Sequence, residues 1–84
     1  MTWNYRLCKQ TYKNDIGYDE CFYEIKEAYY NKNGEIWAVT ERAQSVYSET
    51  VDGVKYCLER MQLALQKDIV DLDTFVFAKQ DPPN

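Results

Sequence analysis

Thr50–Lys67, TVDGVKYCLERMQLALQK, decides how the remainder of the chain is read, because it is the one clear long amphipathic helix in 84 residues. At about 100° per residue, Val54, Leu58, Met61 and Leu65 fall in one narrow stripe, with Val51, Cys57 and Ala64 at its margins. Such a helix buries one side and needs a surface to bury it on. Thr50 can cap the helix through its hydroxyl, and Gly53 weakens the first turn.

The residues before the helix supply that surface as strands. From Thr2 to Tyr12 the side chains alternate, with Trp3, Tyr5 and Leu7 on one side and Asn4, Arg6, Cys8 and Gln10 on the other, the period of a half-buried strand. KNDIG breaks the alternation. A second strand runs from about Tyr18 to Tyr30, and Asn31, Lys32, Asn33 and Gly34 form a tight turn with glycine where positive φ is needed. A third strand is expected from Glu35 to about Tyr47.

Keeping apolar faces together sets Leu7 opposite Tyr23, Tyr5 opposite Ile25, Trp3 opposite Glu27 and, on the reverse side, Arg6 opposite Glu24. A three-residue turn closed by a bulge at Gly34 then brings Tyr29 to Trp37 and Glu27 to Val39, with both tryptophans under the helix. Beyond Lys67, DIVDLDTFVFAK alternates imperfectly and reads either as an edge strand or as an extended tail over the helix end. The expected architecture is α+β: a three-stranded antiparallel meander with one helix packed on one face, plus a short carboxy-terminal strand or extended tail. Residues 1–78 form this single domain, and 79–84, with its two prolines, reads as a disordered tail.

Composition narrows the function classes. No apolar run approaches the roughly 18 residues needed to span a membrane, and MTWNYRLCKQ lacks the sections of a signal peptide, so a cytoplasmic location is expected. Cys8, Cys21 and Cys57 are odd in number and lack CxxC spacing, which suits reduced thiols. With no histidine, zinc would need all three cysteines and a carboxylate. Arg6, Lys9 and Lys13 stand in an amino-terminal stretch without acids, leaving seven basic and fourteen acidic residues from position 15 onward. That field opposes nucleic-acid backbone and suits a basic protein partner.

Four segments, TWNYR, YEIKEAYYNKNGEIW, SETVDGVKYCLERMQLAL and IVDLD, resemble in order and spacing a family of short uncharacterised bacterial proteins that begin with a Trp-Asn-Tyr-Arg strand. The resemblance covers residues 2–73 and implies one compact cytosolic bacterial-type domain. It brings no catalytic signature and no functional residues to transfer.

Candidate sites follow from chemistry. There is no histidine base, glycine-rich phosphate loop, HExxH or nucleophile elbow, so neither catalytic residues nor metal ligands nor a cofactor are expected. Glu27, on the apolar side of its strand, is the carboxylate best suited to acid–base work, or else a structural acceptor from a tyrosine or tryptophan. Asp68, Asp71 and Asp73 lack the ligand pattern of a calcium loop. Opposite the buried helical stripe stand Tyr56, Arg60, Leu63 and Lys67, an apolar pair bordered by cations. The reverse face of the sheet presents Phe22, Tyr30 and Ile36, and one helix cannot cover both faces. These patches point to a small non-catalytic protein-interaction module, a bacterial or phage-type inhibitor or accessory factor. The alternatives are a homodimer through the open sheet face and an enzyme using Glu27.

Overall fold

The computed structural model describes residues 2–83 and has the α+β architecture: a curled four-stranded mixed sheet with one helix packed on it. Strands β1 (Thr2–Lys13), β2 (Asp19–Tyr30), β3 (Ile36–Val39) and β4 (Val70–Asp71) lie in the order β3-β2-β1-β4, with β4 parallel to β1 and the other pairs antiparallel. Helix α1 spans Val51–Leu63 and tightens into a 3-10 turn over Ala64–Gln66.

The first hairpin is set by its loop. Asn14 accepts from the amides of Ile16 and Tyr18 through its side chain, its own amide donates to Tyr18, and Gly17 takes φ +88°. Five residues are therefore spent between Lys13 and Asp19, and the pairing is Leu7 with Ile25, Tyr5 with Glu27 and Trp3 with Tyr29. This differs by two residues from the expected register. Because side chains repeat every second residue, a two-residue offset keeps every side chain on its expected face while changing its partner. Arg6 thus faces Lys26, not Glu24.

The second turn is held by Asn31, whose carboxamide oxygen accepts from Asn33 and Glu35, and Gly34 takes φ +76°. Tyr30 pairs with Ile36 in the expected frame. An irregularity follows, so that Tyr29 pairs with Ala38 and Ala28 with Val39. A bulge adds one residue, and one residue reverses the face. Trp37 stays beside Tyr29, with ring centroids 6.3 Å apart, but Val39 turns to the reverse side, away from the helix. The third strand ends there, well short of Tyr47. Residues 40–50 are irregular, with Thr40 and Gln44 donating amide hydrogens to Glu27 and Ile25.

The reverse face is not open. Cys8, Ala28, Ile36 and Val70 form a buried cluster there, flanked by Tyr30, Val39, Leu72 and Phe75. The cover is the carboxy-terminal chain, which begins as β4 beside Cys8 and Lys9, turns over 72–74 and continues without regular structure, with the amide of Ala78 donating to Ile36. Residues placed in the expected tail also engage the turn: Asn31 donates to the carbonyl of Lys79, and Asp81 accepts from the amide of Lys32. The segment after the helix is therefore first an edge strand, then a strap across the sheet.

The helix is seated differently from its apolar stripe. Met61 and Ala64 are buried and Val54, Cys57 and Arg60 half-buried, whereas Leu58 and Leu65 are 51% and 63% exposed. At 100° per residue this places the sheet-facing direction roughly 70° around from the stripe's centre. The small side chains of Cys57 and Ala64 let the helix approach β1 closely, which Leu58 and Leu65 in the same place would prevent. Gly53 has a parallel role. A Cβ there would lie 1.9 Å from the Ser48 hydroxyl oxygen and 2.7 Å from its Cβ. Ser48 accepts from the amide of Thr50, and Thr50 in turn accepts from the amide of Gly53, so the residue that weakens the first turn also admits its cap.

Candidate functional site

Arg60 is the centre of the helix patch. Its guanidinium lies 4.6 Å from the centroid of the Trp3 ring, 5.7 Å from Tyr5 and 5.6 Å from Tyr56. Trp3 and Tyr5 meet edge to face at 5.2 Å. They share a face of β1 because they are two residues apart, and Tyr56 and Arg60 share a side of α1 because they are four apart. Each ring face presents negative potential to the cation, an attraction of about 0.5–2 kcal/mol depending on desolvation. Among the described residues Arg60 has no ion pair. Tyr56 is 61% and Leu63 54% exposed and Lys67 is also exposed, whereas Arg60 is half-buried against the rings, so three of the four helix residues proposed from the sequence lie on the surface.

Trp3 was expected beneath the helix, yet it is 37% exposed at the margin of the patch. Sequence periodicity gave its face correctly but not the lateral position of the helix, which lies along β1 and leaves the ring's outer part uncovered. The sheet-face set divides. Ile36 is buried in the reverse core, and Tyr30 packs against it while donating to Asn4 and accepting from Arg6. Neither belongs to an exposed patch, because the strap covers them. Phe22 remains exposed farther along the hairpin, against Tyr12 at 5.6 Å.

Glu27 has a structural setting. Its carboxylate accepts from the Tyr29 hydroxyl at 2.7 Å, and its amide donates to Thr40 Oγ1. That hydrogen bond, with some desolvation, raises the Tyr29 pKa above the ordinary phenol value. Burial, then the contact with Cys57 at 3.7 Å, raises Tyr5. Burial likewise pushes the Cys8 thiol up. Both effects favour neutral groups, the opposite of an activated thiolate or phenolate. Asp71 and Asp73 organise the turn after β4: Asp71 accepts from the amide of Asp73, and Asp73 from that of Thr11. Among the described residues no group of three or more His, Cys, Asp or Glu side chains is placed to hold a metal.

Two buried or half-buried cations make the reverse face cohere. Lys26, 2% exposed, donates to the carbonyls of Thr40 and Glu41 and lies 3.5 Å from Glu24. Arg6 donates to the carbonyl of Asp68 at 2.7 Å and to Tyr30 at 3.0 Å. The cross-strand pair of like charges is thereby spent on the two connections that enter and leave the helix region. Sequence parity marked these positions as the polar side of the strands but gave no sign of the carbonyls that meet them.

A second exposed apolar feature lies on the other side of α1. Leu7, Ile25, Leu58, Met61, Gln62 and Leu65 line an open groove of 590 Å³. No helix among the described residues is long and apolar enough to cross a membrane. No protein-family model, curated protein or solved structure matches this chain.

Proposed function

We propose that this chain acts by binding another protein, without catalysis, as a bacterial or phage-type inhibitor or accessory factor in the cytoplasm. The observation that carries this reading is the surface cluster of the exposed Trp3 and Tyr56 with the half-buried Arg60 against both rings. These are the residue types that dominate binding energy at protein interfaces, and here the arginine is already oriented by the rings around it. Its guanidinium edge is free to donate to a carboxylate or backbone carbonyl, while Leu63 and Lys67 extend the contact surface. The surrounding acidic field favours a partner that is basic overall, with an acceptor placed for Arg60. Free Cys8, Cys21 and Cys57 accord with a reducing compartment.

A photo-crosslinking amino acid placed at Tyr56 in the source cell, followed by identification of the attached protein, tests the proposal. With that partner purified, Arg60→Ala and Trp3→Ala are each expected to weaken binding about 30-fold, the scale of a hot-spot residue. Binding that is unchanged in both folded variants would remove this surface from the interface.

A further inference from the structure

We propose that the groove beside α1 is occupied by the same groove of a second copy, forming a two-fold dimer through antiparallel α1 helices. Val51, Val54, Leu58, Met61 and Leu65 follow one another at intervals of three, four, three and four residues, the spacing of a helix–helix seam. The fold consumes only part of this seam, burying Met61 and half-burying Val54. Helix α1 seats its Cys57–Ala64 side on the sheet, leaving Val51 78%, Leu58 51% and Leu65 63% exposed beside Leu7 and Ile25.

Charge and area both favour a second copy. A two-fold contact sets a patch against itself, so a patch of one charge sign repels its own image. The groove lining contains only Gln62 besides apolar residues, so this acidic chain can meet itself here without such a penalty. The chain exposes 6593 Å², about a quarter above the roughly 5,200 Å² expected of a folded 10.0 kDa monomer. The excess, on the order of 1,300 Å² by that scaling and spread over the whole chain, leaves room for the roughly 800 Å² per partner that a standard stable interface buries. The Cα radius of gyration, 14.7 Å, is likewise above the roughly 12 Å of a compact chain of this length. The surface lies on the opposite side of the helix from Tyr56 and Arg60, so the dimer stands independently of the proposed partner site.

Sedimentation equilibrium of the full chain from about 1 to 200 µM provides the test, a range that detects micromolar dimers. Wild type is expected to rise from 10.0 kDa toward twice that mass. Leu58→Asp is expected to remain monomeric, and Gln62→Glu, at an exposed helical position where folding is undisturbed, to raise the dimer dissociation constant about tenfold or more by opposing like charges. Leu63→Asp, on the far side, should leave the dimer intact. A wild type that stays monomeric over the whole range overturns the proposal, as does a dimer that persists undiminished in Gln62→Glu.

Discussion

The two faces of the sheet are closed by opposite means. The reverse face buries modest side chains, Cys8, Ala28, Ile36 and Val70, under an irregular strap, and seals its margin with Lys26, Arg6 and Asn31 bonded to backbone carbonyls. The helix face carries larger groups, Trp3, Tyr5, Leu7, Ile25 and Trp37, beneath or beside α1, the only regular cover among the described residues, and leaves much of their area open. Regular structure is therefore a poor guide to where stability lies. An extended strap with local hydrogen bonds follows the sheet's contour, whereas a straight helix touches a curled sheet along one line.

The largest expected effect is on the seal. Lys26→Met keeps most of the aliphatic stem but removes the donor shared by the Thr40 and Glu41 carbonyls. Leaving two such acceptors unpaired should cost about 3 kcal/mol, readable as a lowered urea midpoint at unchanged slope. A loss below about 1 kcal/mol would mean that water replaces the ammonium, and that the reverse face is less closed than its geometry implies. Next comes a direct comparison of the two covers. Val70→Ala, at a residue 2% exposed, should cost about 2 kcal/mol, while Leu65→Ala, although it deletes more carbon, should cost less than about 0.5 kcal/mol in dilute monomer. Equal losses would show that the helix seam contributes to the monomer and would sharpen where the sheet is truly covered.

Gly53→Ala should fall between these limits, at about 1–2 kcal/mol. A methyl group usually favours a helix interior by nearly 1 kcal/mol, but here it must displace Ser48, whose own Cβ is in the way. If the substitution stabilises the chain, residues 48–50 move freely and the cap is not a fixed joint. A thermal melt of Gly53→Ala beside Ser48→Gly separates the outcomes, since the second change removes the obstructing side chain.

These contrasts also show what could be read from the chain itself. Face assignment on β1 and β2 was legible because alternation is local: Trp3, Tyr5 and Leu7 lie on the helix side even though each has a different partner from the one expected. Register was not, because it depends on how Asn14 folds the loop through its own side chain. The helix was legible in extent and amphipathicity, but not in rotation. Hydrophobicity ranks Leu58 and Leu65 above Cys57 and Ala64, while close packing on a strand selects the smaller pair. The strap was hardest to see. Its parity places Asp71 and Asp73 beside Ile69 and Phe75, and its contacts are backbone bonds to distant elements, which leave no periodic trace. For the candidate site, Tyr56, Arg60, Leu63 and Lys67 were visible as a surface row, whereas the part of Trp3 required the lateral placement of the helix.

The smallest expected effect concerns the edge where strap and sheet join. Asp73 accepts from Thr11, and these hydrogen bonds hold its carboxyl below the usual carboxylate range. A depressed folded-state pKa means that the contribution of the ionised group is complete above the unfolded value of about 3.8 and disappears as pH falls through the folded one. The β1–β4 edge should therefore loosen only in acid below about pH 4, with the core of the reverse face still intact. The protection factor of the Thr11 amide, its exchange rate referred to the intrinsic rate at each pH, should fall over that interval, and Asp73→Asn should abolish the fall. If the Thr11 protection factor is constant throughout in the wild type, the carboxylate contributes nothing to it, and the strap is fastened by Val70 and Leu72 alone.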